Sequence, residues 1–131
     1  MIKRSKILIV DDDKDDQSFL CDVIAELYPA FKCNTANNGQ EALEYIAADP
    51  PPPDLIFLDL NMPVLNGFEF LRDYKNIYDL EKTRVIIYST SSNPRDKEIT
   101  KNLGASDYIV KMADYDKLRT RLKEVVHEYF Q

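Results

Sequence analysis

Asp11 and Asp12 follow the apolar run 7–10, Asp59 follows 55–58, Ser89 and Thr90 follow 84–88, and Lys111 follows 106–110. Scattered in space, these residues would have no common task. If the runs are strands of one parallel sheet, their carboxyl ends point the same way and the side chains gather at a single edge. Carboxylates crowded there repel, and each then resists ionisation. A hard divalent cation relieves that conflict, and magnesium accepts oxygen donors in an octahedral shell while keeping several waters. Set around one central carboxylate, a cation, a lysine and a hydroxyl meet the needs of phosphoryl transfer, which are charge neutralisation on the equatorial oxygens and an in-line nucleophile. Asp59 is the acceptor in this reading.

The elements needed to position such residues are present. Continuous apolar runs of four to five residues suit strands buried on both faces, and the pattern predicts strands over 7–10, 31–36, 55–58, 84–88 and 106–110, the second of them polar and at an edge. Helices are predicted over 14–27, 39–48, 68–76, 94–103 and 114–131. Their inward residues are Phe19, Leu20, Val23, Ile24 and Leu27; Ala42, Leu43, Ile46 and Ala47; Phe70, Leu71 and Tyr74; Ile99 and Leu103; and Leu118, Leu122, Val125, Val126, Tyr129 and Phe130. The fourth helix has the fewest apolar anchors and is the one expected to move. Pro50 to Pro53 form an extended connector. Strict alternation of strands and helices implies a doubly wound parallel α/β sheet covered on both faces.

Composition narrows the function. With 131 residues, 44% hydrophobic and 31% charged, the chain is read as one domain over 1–131. Its net charge of −6 and its scattered Lys and Arg residues give no footprint for nucleic acid. No apolar run reaches the roughly 18 residues of a membrane span, so a cytoplasmic protein is expected. With its three glycines far apart at 39, 67 and 104, neither GxGxxG nor a P-loop can be written. Cys21 and Cys33 lack CxxC or metal-like spacing and are read as small buried or half-buried hydrophobes. His127 has no second histidine or nucleophile beside it.

The motifs Val10-Asp11-Asp12, Leu58-Asp59-Leu-Asn-Met-Pro63, Asn66-Gly67, Tyr88-Ser89-Thr90 and Gly104-Ala-Ser-Asp-Tyr108-Ile-Val-Lys111 together resemble the receiver domain of bacterial two-component response regulators, over essentially the whole chain. The resemblance implies a flavodoxin-like five-stranded sheet in the order 2-1-3-4-5 with five helices, and a receiver domain standing without an output domain. It implies that Asp59 takes a phosphoryl group from a sensor histidine kinase or a histidine phosphotransfer protein. Asp12, Asp59 and the Asn61 carbonyl would hold Mg²⁺ directly, with Asp11 acting through water. Ser89 and Lys111 would bind the new phosphate, and Tyr108 would swing with Ser89. Thr90 would lie beside the phosphate, and Asn61 and Ser91 would tune its lifetime. The 94–131 face would be the output surface for an unidentified partner or a homodimer.

One residue departs from the family pattern: Met112 follows Lys111 where a cis-linked proline is usual. The bond before Met112 is therefore expected to be either trans, with a reshaped loop, or a strained cis bond, whose cost is about 3 kcal/mol. Two other readings differ in class. A haloacid-dehalogenase-type phosphatase would need the nucleophile first, a DxD pattern and a cap; here the paired acids come first and Asn61 stands two residues after Asp59. A scaffold of receiver fold would not need Asp11, Asp12, Asp59 and Lys111 intact. The chain is thus expected to be a phosphoacceptor that self-dephosphorylates, rather than a turnover enzyme.

Overall fold

A computed structural model of the chain describes residues 6–129. Strands β1 (Lys6–Val10), β2 (Lys32–Ala36), β3 (Leu55–Leu58), β4 (Arg84–Ser89) and β5 (Asp107–Val110) alternate with helices α1 (Lys14–Leu27), α2 (Gly39–Ala48), α3 (Gly67–Ile77), α4 (Pro94–Asn102) and α5 (Tyr115–Tyr129). All the strands are parallel and lie in the order β2-β1-β3-β4-β5. Among the described residues no helix is long and apolar enough to cross a membrane.

Alternate residues of each strand feed two separate cores, as the period of two in a strand requires. Ile7, Ile9, Leu55, Phe57, Ile86, Tyr88 and Ile109 pack on Leu20, Val23 and Ile24 of α1 and on Leu118, Leu122, Val125 and Val126 of α5. On the opposite face Leu8, Val10, Ile56, Leu58, Val85 and Ile87 meet Ala42 and Ile46 of α2 and Phe70, Leu71 and Tyr74 of α3. Each apolar run is continuous because both of its faces are buried. The two edge strands are the exceptions, with Ala36 the one fully buried residue of β2 and Ile109 that of β5.

Three details differ from the sequence pattern. Ala47 is exposed, since it follows Ile46 by one position and a helix turns about 100° per residue. In α4 the fully buried residue is Thr100, while Ile99 is half-buried; the Thr100 hydroxyl donates to the Asp96 carbonyl at 2.9 Å, which satisfies its polar group locally. Leu103 caps α4 and is half-buried. Phe130 lies outside the described residues, and His127 is exposed in the last turn of α5.

The register brings the strand ends level. Val10 stands opposite both Ala36 and Leu58, Leu58 opposite Ile87, and Ser89 opposite Val110. The ladder also continues one residue past the strands: the amides of Asp11, Asp59 and Lys111 donate to the carbonyls of Ala36, Val10 and Ser89 at 3.0, 2.9 and 2.7 Å. Three of the candidate site residues therefore start from backbone that is still fastened to the sheet.

Helix α3 is seated hard against this edge. Asn66 and Glu69 form a reciprocal capping box, and the Gly67 amide donates to the Leu60 carbonyl at 3.0 Å. A Cβ on Gly67 would fall 2.3 Å from the Asp59 carbonyl oxygen and 2.8 Å from the Leu60 Cα. Because both neighbours are backbone, the loop after Asp59 would have to move. Gly67→Ala is therefore expected to destabilise the fold by about 1–3 kcal/mol, measured by urea unfolding, and to shift the amide NMR signals of residues 59–62. An unfolding midpoint equal to that of the parent protein would show that this close approach is not required.

Candidate functional site

Asp11 and Asp59 are almost fully buried, at 1% and 7% exposure, whereas Asp12 is open to solvent. One carboxylate oxygen from each lies within 4.8 Å of the other two. Asp59 Oδ1 accepts the Leu60 amide at 2.9 Å, which fixes its rotamer, and Asp11 Oδ1 accepts the Asp13 amide at 3.0 Å. The Lys111 ammonium reaches across from the end of β5 to lie 2.8 Å from Asp11 Oδ2 and 3.6 Å from Asp59 Oδ2. Apart from that ion pair, Asp11 Oδ2 is a buried oxygen without a hydrogen bond.

These surroundings shift the proton affinities. Burial, and then the negative charge of Asp11, push the Asp59 carboxyl from an ordinary 3.8 up to about 6, although the Lys111 ammonium and the Leu60 amide pull the other way. Burial likewise raises Asp11 against the opposing pull of Lys111. For Lys111, burial alone would favour the neutral amine, but its contacts with Asp11 and Asp16 outweigh it and hold the ammonium charged. The site thus has more negative charge than one ammonium can offset. Its donors are all oxygens, and that chemistry fits a hard divalent cation such as Mg²⁺.

Ser89, the last residue of β4, is completely buried, and its Oγ accepts the Ser91 amide at 3.2 Å. Ser91 in turn donates through Oγ to Asp96 of α4 at 2.6 Å and accepts the Tyr108 hydroxyl on its carbonyl at 2.8 Å. Tyr108 is half-buried, and the Lys97 ammonium lies 5.7 Å from its ring centre. Thr90 and the Asn61 side chain are exposed. In the loop that leads from Asn61 to α3, Met62 is buried, while Val64 takes a left-handed conformation, with φ of 70°, that a β-branched residue rarely adopts. The Lys111–Met112 bond is trans, the first of the two possibilities raised by Met112.

The structure adds residues that the sequence pattern did not single out for the site. Asp16, in the first turn of α1, binds the Lys111 ammonium at 2.7 Å, whereas Asp13 behaves as a helix cap and accepts the amides of Asp15 and Asp16. Buried Gln17 donates through Nε2 to the Asp11 carbonyl and to Asn37 Oδ1, the latter at 3.0 Å. Its place on the inward stripe with Leu20 and Ile24 was a usable signal, because a polar side chain there must find a partner. Asp16 offered none, since acidic residues are favoured in any first helical turn. The Tyr88 ring lies under the Lys111 ammonium, 5.6 Å from its centre.

A carboxyl raised from 3.8 to about 6 binds protons in the folded state that it releases in the unfolded one, so stability falls as pH rises through that interval. Without divalent cation, the isosteric neutral variant Asp59→Asn is expected to be more stable than the parent protein at pH 7.5, by roughly 2–3 kcal/mol, since each tenfold change in proton affinity is worth about 1.4 kcal/mol. The advantage should vanish as pH falls from about 6 to about 4, below which the carboxyl is protonated in both states. Thermal unfolding across this range tests it, and parallel stability curves for the two proteins would refute the buried-charge account.

Comparison with known proteins agrees with this geometry. The family model for the response regulator receiver domain matches residues 7–123. A curated relative, a probable cyclic di-GMP phosphodiesterase of Vibrio cholerae, is 34% identical over 99% of this chain. The chain spans 27% of that relative's length. Among solved structures, the phosphorylated cyanobacterial phytochrome response regulator RcpA superposes with a TM-score of 0.85 at 30% identity, covering 97% of this chain and 94% of its own. The response regulator TrrA of Thermotoga maritima, in complex with Mg²⁺ and BeF, gives a TM-score of 0.75 at 26% identity, with 92% and 98% covered.

Proposed function

The chain belongs to the response-regulator receiver family of two-component signalling, and from that premise we propose that Asp59 is the phosphoacceptor of a Mg²⁺-dependent switch. The observation that carries this reading is the buried Asp59 carboxylate, with Asp11 and Asp12 oxygens within 4.8 Å of it and the Lys111 ammonium 3.6 Å away. The donor would be a phosphohistidine, on a sensor histidine kinase or a histidine phosphotransfer protein. An Asp59 oxygen attacks the phosphorus, the P–N bond breaks, and the imidazole nitrogen leaves with the electron pair. A magnesium ion held by Asp12, Asp59 and the Asn61 carbonyl, with Asp11 reached through water, would neutralise the charge that develops on the phosphoryl oxygens.

The remaining roles fall to this chain's own groups. Lys111 pairs with a phosphoryl oxygen, for which it gives up part of its present hold on Asp11 and Asp16. Ser89 releases the Ser91 amide and turns its hydroxyl to another phosphoryl oxygen. Phosphorylation replaces one negative charge by nearly two and adds strong acceptors, so both movements are favoured by the same event. Ser91 also holds Asp96 and Tyr108, and its displacement passes the change to α4 and β5. The surface formed by residues 94–129 is then presented to a downstream protein or a second copy of the chain. Thr90, Asn61 and Ser91 border the phosphate and govern its hydrolysis. The chain acts in this scheme as a stoichiometric acceptor, and it binds neither nucleic acid nor membrane.

Incubation with Mg²⁺ and acetyl phosphate, followed by intact-mass measurement, tests the assignment. The parent protein is expected to gain one phosphoryl group, Asp59→Ala none, and Lys111→Ala markedly less in the same time. No gain by the parent protein, or equal labelling of Asp59→Ala, would overturn it.

A further inference from the structure

Cys21 and Cys33 lie outside the acidic site and are not used by the switch described above. They are 12 positions apart in the chain, yet α1 lies over the edge strand β2 so that the two sulfurs approach to 3.3 Å. Both residues border the core between the sheet, α1 and α5, and both are half-buried. They are therefore held together by the fold and still within reach of a small solute.

We propose that Cys21 and Cys33 are an oxidation site that forms an intramolecular disulfide with a hydroperoxide, joining α1 to β2. A disulfide bond is about 2 Å long, so the sulfurs need to close by little more than an ångström, a movement within the range of side-chain rotation. The contact also couples the two thiols. Their hydrogen bond is the largest influence on the proton affinity of each, and either sulfur can be its donor. Either thiol can therefore react first, and its neighbour is in place to resolve the product.

The chemistry closes without another reactant. One of the two sulfurs attacks a peroxide oxygen, the O–O bond breaks, and a sulfenic acid and water are formed from hydrogen peroxide. The other sulfur then attacks the sulfenic sulfur, the S–O bond breaks, and a second water leaves. Two thiols have lost two electrons and two protons, and the peroxide has been reduced to two waters. The crosslink ties α1, whose first turn carries Asp16 and Gln17, to the edge of the sheet, and restricts the unfolded chain between them. This site is independent of phosphorylation at Asp59.

The test uses the whole reduced chain treated with hydrogen peroxide and then blocked with a maleimide. The expected product is a monomer that has lost two hydrogens by mass and takes up no maleimide. Digested without reductant, it should yield one peptide pair joining residues 21 and 33, and dithiothreitol should return the protein to its starting mass. Its melting temperature is expected to exceed that of the reduced form. Cys33→Ser and Cys21→Ser should each stop at a sulfenic acid on the remaining cysteine, which dimedone traps. Both thiols remaining open to maleimide after treatment, or a disulfide-linked dimer as the main product, would overturn the proposal. Circular dichroism of the reduced serine variants ensures that folded proteins are being compared.

Discussion

One ammonium facing three carboxylates is the constraint around which this molecule is built. Lys111 Nζ stands 2.7 Å from Asp16, 2.8 Å from Asp11 and 3.6 Å from Asp59, and among the described residues no other cation pairs with Asp11 or Asp59. Two of those acids are buried, so the imbalance cannot be screened by water as it would be at the surface. It persists because the sheet does not allow the groups to separate. The amides of Asp11, Asp59 and Lys111 are each hydrogen-bonded to the neighbouring strand, and the strands are locked by two apolar cores. Hydrophobic burial on both faces of the sheet therefore maintains an electrostatic conflict along its edge.

The same contrast explains what could be read from the sequence. Strands buried on both faces are written as unbroken apolar runs, and the abrupt change to Asp11, Asp59 or Lys111 marks where each strand meets the site. Parallel order then brings distant residues together without any knowledge of side-chain contacts. Asp16 was illegible for the opposite reason. An aspartate in a first helical turn is explained by the helix alone, and only the placement of α1 beside the turn after β5 turns it into a partner for Lys111. Cys21 and Cys33 belong to the same class, since their pairing depends on how α1 lies across β2 and leaves no mark in their spacing. Thr100 shows a third case, in which a hydroxyl replaces an expected aliphatic anchor by bonding within its own helix.

The trans bond at Lys111–Met112 clarifies how the lysine is aimed. Its backbone amide is fastened to the Ser89 carbonyl at 2.7 Å, and its ammonium is held at the far end by Asp11 and Asp16. A long flexible side chain pinned at both ends needs no unusual peptide geometry to point inward. Tyr88 completes the arrangement, because a ring beneath the ammonium offers it a favourable face while excluding water from one side.

The two helices that follow β4 and β5 are held in different ways, and that difference decides which can respond to a change at the site. Helix α5 buries Leu118, Leu122, Val125 and Val126, each contributing about 1.5–3 kcal/mol when taken from water. Displacing it would forfeit most of that burial. Helix α4 buries only Thr100 fully, and its connection to the sheet edge runs through polar contacts at Ser91: its amide to Ser89 Oγ, its hydroxyl to Asp96 and its carbonyl to the Tyr108 hydroxyl. A hydrogen bond of this kind contributes about 1 kcal/mol net, so re-forming one or two of them elsewhere is comparable with what holds α4 in place. In the proposed switch, a new acceptor that draws Ser89 away from Ser91 would thus act on the joint that holds α4 to the sheet edge. The contacts of Ser91 lead from there to Tyr108 and to Asp96 of α4.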